Sequence, residues 1–256
     1  MDDRNSQVPP TFPALRSLGL DAVLVRFADR LEEAPNRAAL AFRAALEAEA
    51  WPELAETATS LAAVLVRFDP LAVGLEEIGA RLRELLARRD WYRAPLPAGR
   101  RLWRVPCVYG TDLAPQLEEA AEAAGLSAAQ AVADLGQARV RVLALGFAPG
   151  QPYLGPLAEH WNLPRQAGLT PRVPAGALVL AIRQLVLFAG PAPTGWRHVG
   201  QTAFRPFRPG HEEPIALRPG DEMIFEPARP ALLERLRLAE ADRAGNGGAT
   251  VEEIAP

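Results

Sequence analysis

Three segments concentrate the residues whose types could do chemistry. The first is Gly146-Phe147-Ala148-Pro149-Gly150-Gln151-Pro152-Tyr153-Leu154-Gly155. The second runs Pro164-Arg165 and then Pro171-Arg172-Val173-Pro174-Ala175-Gly176. The third is Pro193-Thr194-Gly195-Trp196-Arg197-His198-Val199-Gly200-Gln201-Thr202. Glycine and proline fix loop shape and let a ligand approach the backbone. Arg165 and Arg172 each offer a planar fork that matches a carboxylate or phosphate. Tyr153 and Trp196 have the flat apolar faces that wall a small-molecule pocket. No single piece is specific, since Gly/Pro loops also join strands and arginines also lie solvated.

Composition narrows the chemistry further. All 28 basic residues are arginine. Without a lysine the chain has no P-loop amine, no Schiff-base nucleophile and no attachment point for biotin. Any anion must be held by arginine forks or backbone amides. The three histidines, His160, His198 and His211, are dispersed and lack metal-site spacing. His198 lies inside the third segment, where it either titrates near a substrate or is an ordinary strand residue. The four serines lie outside any Gly-x-Ser-x-Gly elbow. The lone Cys107 allows no internal disulfide and reads as a small core residue.

A formal net charge of −3 offers no field for nucleic acid or an anionic membrane. The apolar run at residues 177–182 is cut by Arg183, far short of a bilayer span. Residues 1–5 lack the basic-then-apolar order of a signal peptide, so the cytoplasm is the expected compartment.

The elements that must position these segments are legible from periodicity. Residues 1–15 read as a mobile lead. Ala22-Val23-Leu24-Val25-Arg26-Phe27 returns as Ala63-Val64-Leu65-Val66-Arg67-Phe68, and both runs read as strands. Each precedes a helix, over residues 36–50 and along the stripe Leu75, Ile78, Leu82, Leu85 and Leu86. A third strand is expected near residues 54–59. The order suggests a split βαβ arrangement with helices on one face. Residues 93–100, rich in Pro and Gly, mark a domain boundary.

A strand over residues 102–108 and two helices follow, the second opened by a capping box at Ser127 and Gln130. From Val140 onward short strands punctuated by Pro and Gly predict a small barrel. An amphipathic helix is expected around Leu232, Leu233, Leu236 and Leu238. Residues 245–248 read as flexible and the last residues as disordered. The fold class is α+β: an N-terminal α/β sandwich at 16–97, a barrel at 98–228, and a helix with a tail at 229–256.

The three segments together resemble the signature of the family that holds allophanate hydrolase subunit 1 and the 5-oxoprolinase B subunit, the carboxyltransferase subdomains C and D. Its members show a Gly-Phe-x-Pro-Gly-Phe-x-Tyr-Leu loop, a doubled Pro-Arg leading into Val-Pro-Ala-Gly, and a Gly-Gly-Trp-x-x-Ile-Gly-x-Thr turn. The likeness extends to residues 105–110, to Pro219-Gly220-Asp221 and to Phe225-Glu226-Pro227. The chain departs from it at Gln151, Ile182, Leu185, Val186 and Thr194, and at Leu135, where relatives often carry histidine.

The resemblance implies a cyclophilin-like barrel and ATP-dependent opening of 5-oxoproline to glutamate. ATP, with Mg, would act in an assembled complex, and no cofactor would be covalently held by this chain. The implied partner is a protein like allophanate hydrolase subunit 2 or the 5-oxoprolinase C subunit, with a protein like the A subunit of that enzyme joining them. Arg165, Arg172 and Gln184 are then the candidate catalytic residues. Phe147, Pro149, Gly150, Tyr153, Pro174, Ala175, Gly176, Gly195, Trp196 and Thr202 are the candidate substrate contacts. Two other readings stay open: a carboxyltransferase half of a urea carboxylase-type enzyme, with biotin on another chain, and a histidine-kinase inhibitor-like binding protein.

Overall fold

The computed structural model describes residues 11–239 and 245–254. The chain divides into two compact units, residues 1–96 and 97–256. In the first, strands β1 (Ala14–Leu18), β2 (Ala22–Arg26), β3 (Leu54–Ser60) and β4 (Ala63–Phe68) form an antiparallel stretch of sheet ordered β1-β2-β4-β3. Helices α1 (Glu33–Ala48) and α2 (Leu75–Ala87) follow β2 and β4. β4 lies between β2 and β3, which makes β2-α1-β3 the expected split βαβ unit.

The two copies of the repeated hexapeptide pair with each other, Val23 opposite Val66 and Val25 opposite Val64. Period-2 alternation sends these four valines to one face, where they are buried against Phe42 and Leu46 of α1 and Ile78, Leu82 and Leu85 of α2. Helix α1 begins three residues earlier than its periodicity predicts. Buried Asn36 sits in its first turn and donates to the Leu61 carbonyl at 2.7 Å.

The second unit is a closed barrel. Its strands are β5 (Arg101–Tyr109), β6 (Val140–Leu145), β7 (Pro152–Gly155), β9 (Ala177–Ala181), β10 (Gln184–Leu187), β12 (Arg197–Thr202) and β13 (Glu222–Pro227). They run β6-β13-β5-β12-β9-β10-β7, and pairing of β6 with β7 closes the ring. Closure removes the free sheet edges of these strands. β5 and β13 pair in parallel. Helices α3 (Leu117–Ala123) and α4 (Ala128–Gln137) pack Leu117, Ala120, Ala131 and Leu135 onto the barrel core. The capping box at Ser127 and Gln130 forms as its spacing predicts; Ser→Ala at such a cap costs about 1 kcal/mol.

Strands β9 and β10 are buried on both faces. Leu178, Leu180, Leu185 and Leu187 point into the barrel. Ala177, Val179, Ala181 and Val186 form a second apolar layer outside it, with Val173, Phe188 and Trp196. A two-stranded ribbon, β8 (Thr170–Val173) with β11 (Ala192–Thr194), belongs to that outer layer.

The C-terminal segment differs from its sequence reading. Helix α5 (Pro230–Leu238) buries Leu233 beside Val108 and Ala203, with Leu236 partly buried against them, but leaves Leu238 exposed. Residues 245–248, expected to be flexible, are tied down. Arg205 N–H donates to the Gly245 carbonyl at 2.8 Å, and Arg208 Nη1 donates to Asn246 Oδ1 at 2.6 Å. A Cβ on Gly247 would stand 2.3 Å from the backbone of Ala203 and Phe204, so only glycine allows the approach. Strand β14 (Thr250–Glu253), expected to be disordered, pairs antiparallel with β5. That pairing depends on a distant strand, and sequence pattern alone does not show it. Most of the lead read as mobile lies outside the described residues. Among those described, no helix is long and apolar enough to cross a membrane.

Candidate functional site

The outer face of β10 floors a cleft of about 290 Å³. Val186 and Phe188 form part of its base, and Tyr153, Trp196, Arg165, Phe147 and Leu169 its walls. The Arg165 guanidinium lies over the Trp196 ring, 5.4 Å from its centroid. Tyr153 meets Trp196 edge-on, with centroids 6.3 Å apart.

A polar chain pins the Arg165 loop in place. Gln166 N–H donates to the Gly195 carbonyl at 2.7 Å, and Gln166 Nε2 donates to the Trp196 carbonyl at 3.0 Å. Gln116 Nε2 donates in turn to Gln166 Oε1 at 2.7 Å. Arg197 Nη1 donates to the Pro164 carbonyl at 2.7 Å. Two large apolar side chains stand open at the rim, Phe147 at 76% exposure and Leu169 at 70%. Phe147 holds a left-handed backbone (φ 71°), a conformation that is costly for a bulky residue and gathers at functional sites.

Arg172 does not enter this cleft. The chain turns through residues 167–169 before β8, and Thr170 and Arg172, two apart on that strand, line a neighbouring hollow of about 510 Å³. Pro174, His198, Gln201 and Gln116 also line it. Arg165 and Arg172 therefore line two separate hollows, with the β8–β11 ribbon contributing to both. Pro174, Ala175, Gly176 and Thr202 line a third hollow with Arg205 and Arg237.

In the Val-Pro-Ala-Gly turn, Gly176 sits at φ 76°, and a Cβ there would stand 2.4 Å from the Thr202 carbonyl oxygen. Its own carbonyl accepts from Thr202 N–H at 2.9 Å. Pro149 is exposed and Gly150 is buried against Pro206, so both shape the turn before β7 without lining the cleft. Gln184 is 6% exposed on β10 and lines none of the three hollows.

The electrostatics favour anions. Among the described residues no carboxylate lies within ion-pair distance of Arg165 or Arg172, so both forks are available. Burial holds the His198 imidazole below its ordinary range, against the opposing pull of the Gly200 backbone and the Gln201 side chain. Burial likewise pushes the Cys107 thiol far up, which leaves it a poor nucleophile at neutral pH.

Residues 13–217 match the family described as carboxyltransferase domain, subdomain C and D. The chain belongs to this family. It is 28% identical over 221 residues to the 5-oxoprolinase B subunit of Bacillus subtilis (strain 168), covering 82% of this chain and 91% of the relative. It is 39% identical over 129 residues to the 5-oxoprolinase B subunit of Escherichia coli O157:H7, covering 50% and 59%. Among solved structures, TTHA0988 superposes with a TM-score of 0.68 at 30% identity, over 82% of this chain and 40% of that one. Kluyveromyces lactis urea carboxylase superposes with a TM-score of 0.71 over 94% of this chain and 24% of that one; at 17% identity it shows the shared fold.

Membership in the carboxyltransferase C and D family gives the departures a structural meaning. Gln151, where relatives usually have phenylalanine, is 2% exposed and its Oε1 accepts from Ala189 N–H at 3.3 Å, joining the β7 loop to the end of β10. Thr194, in place of the first glycine before the tryptophan, accepts from Trp196 N–H at 3.1 Å and so helps to set that ring. Gln116 and Gln166, which hold the Arg165 loop to the tryptophan turn, escaped the sequence reading. Their only signal is that each is a polar side chain beside a proline-bounded turn.

Proposed function

We propose that this chain is one member of an ATP-dependent amide-opening complex of the 5-oxoprolinase type, converting 5-oxoproline to glutamate. The observation that carries the reading is the cleft of Arg165, Trp196 and Tyr153. It pairs a cation without a carboxylate partner with two aromatic faces, in a space at the small end of the range for ligand sites, about 300–1,000 Å³. A small cyclic amide acid needs such a pairing: its carboxylate meets the guanidinium and its ring lies against the aromatic walls. The names of the bacterial relatives support the substrate and the multi-subunit setting.

A lactam carbonyl is a poor electrophile. Transfer of a phosphoryl group from ATP to the lactam oxygen turns that oxygen into a leaving group. Attack of one water at the same carbon, with cleavage of the C–N bond, opens the ring to an acyl phosphate; a second water then displaces phosphate from that carbon and leaves glutamate. Arg165 would hold the substrate carboxylate throughout. ATP, with Mg, and the remaining catalytic groups belong to the partner proteins, one resembling the 5-oxoprolinase C subunit, the other its A subunit. In this scheme Gln184 shapes the barrel wall and Arg172 acts outside the lactam cleft.

The test is reconstitution. The chain is co-expressed with proteins resembling the 5-oxoprolinase C and A subunits, and glutamate release is measured with and without ATP. Release that requires ATP and all members is expected. Its absence from the complete complex contradicts the reading, and turnover that requires a biotinylated partner transfers the chain to carboxyl transfer instead.

A further inference from the structure

The Arg165–Trp196 cleft holds two hydrogen-bond donors that the protein leaves unused. Gln151 is 2% exposed and lines the cleft. Its backbone is pinned: its N–H donates to the Ala148 carbonyl at 3.1 Å, and its carbonyl accepts from Gly146 N–H at 3.0 Å. Ala189 N–H can only donate, so the side-chain atom it meets at 3.3 Å is Oε1, and the orientation of the amide follows. Nε2 then has no acceptor among the described residues. It is not sealed in, and the cleft is the space that Gln151 lines.

Thr194, 6% exposed on β11, is the second donor. Its Oγ1 accepts from Trp196 N–H at 3.1 Å, which leaves the O–H to donate, and no acceptor among the described residues takes it. The other amide of the lining, Gln166, is engaged at both ends, by Trp196 and by Gln116. No carboxylate lines the cleft. Beyond the Arg165 fork, the cleft thus offers two neutral donors set into its lining. Both stand where this chain departs from the family motif, so they are features of this chain. A buried donor is ordinarily paired, and leaving it unpaired in a complex costs affinity.

The reaction decides which oxygen these donors meet. The carboxylate of a ring amide acid goes to Arg165. The lactam oxygen must stay open, because a phosphoryl group has to reach it from another protein, and donors buried to this degree do not suit it. The C3–C4 edge of the ring is what remains for them. In 5-oxoproline that edge carries only C–H groups, which leaves both donors unpaired. We propose that Gln151 and Thr194 are specificity-determining residues, and that the preferred substrate is a ring amide acid with a second oxygen on that edge. The inference rests on the proposed ring-opening reaction and narrows its substrate. An apolar pocket discriminates weakly over one hydroxyl, whereas a site built to pair with an oxygen discriminates against the ring that lacks it.

The reconstituted complex is assayed for ATP-dependent ring opening of 5-oxoproline and of its 3-hydroxy and 4-hydroxy derivatives, each in both epimers. At least one hydroxylated ring should exceed 5-oxoproline about tenfold in kcat/KM, the effect of pairing a buried donor. Gln151→Met, which removes the donor at similar volume, should bring that preference close to parity, and Thr194→Val should lower it in the same direction. The preference is a ratio taken on one preparation, so partial loss of folded protein does not enter it. The inference is overturned, with the ring-opening reading intact, if 5-oxoproline is opened and no hydroxylated ring is opened faster, or if the preference survives both substitutions. If the complex opens none of these rings, the ring-opening reading has failed and the inference falls with it.

Discussion

Gly200 shows how tightly single residues set the site. A Cβ at this position would stand 2.6 Å from Cys107 Sγ and 3.4 Å from Leu178. The glycine lets β12 lie close against β5 beside its register shift against β9, and that shift aims Gln201. Gly200→Ala should therefore cost about 1–3 kcal/mol, the usual effect of overpacking a core. Cys107→Gly in the same chain should recover most of that loss, because the two side chains compete for one volume. A double-mutant cycle of urea unfolding measures the coupling; strictly additive effects would contradict the packing described. Cys107 is legible in the sequence as a small core residue, and it is one. His198 is legible as a strand residue, yet its role depends on a register shift against β9. Register belongs to a pair of strands, so no single segment announces it.

At the scale of elements, the turn Pro219-Gly220-Asp221 fastens the starts of β5 and β13, which run parallel. Asp221, 1% exposed, accepts from Arg101 N–H at 3.1 Å and from the Arg101 guanidinium, from Trp103 Nε1 at 3.3 Å and from Arg218 N–H at 3.0 Å. Arg100 and Arg139 hold neighbouring Glu222 in the same region. Asp221→Ala removes the acceptor and leaves a part-buried guanidinium without its counter-charge. A loss of about 3–5 kcal/mol is expected, read from the midpoint of chemical denaturation; a loss under about 1 kcal/mol would mean that water replaces the carboxylate.

Helices and long strands were legible because 3.6- and 2-residue periodicity survives in their apolar positions. Strands β1, β7, β8, β11 and β14 were not. They are three to five residues long and mostly carry Pro, Gly or polar residues, and pairing with neighbours makes them strands.

For the whole molecule, the doubled hexapeptide and the Pro/Gly-rich stretch at 93–100 foreshadowed an α/β unit followed by a barrel. The three segments that carried the resemblance do gather on one unit. They do not make one pocket, because the loop before β8 takes Arg165 to the tryptophan and leaves Arg172 beside His198. Closure of the ring between β6 and β7 holds β10 in place beneath the Arg165–Trp196 cleft. If the Arg165–Trp196 cleft receives the lactam, its cation must matter for substrate and not for ATP. Steady-state kinetics of the reconstituted complex with Arg165→Gln measure this directly. The predicted result is a fall of about a hundredfold in kcat/KM for 5-oxoproline, the size of one lost charge-assisted contact, with KM for ATP and the melting temperature unchanged. A kcat/KM equal to that of the unsubstituted complex would contradict it.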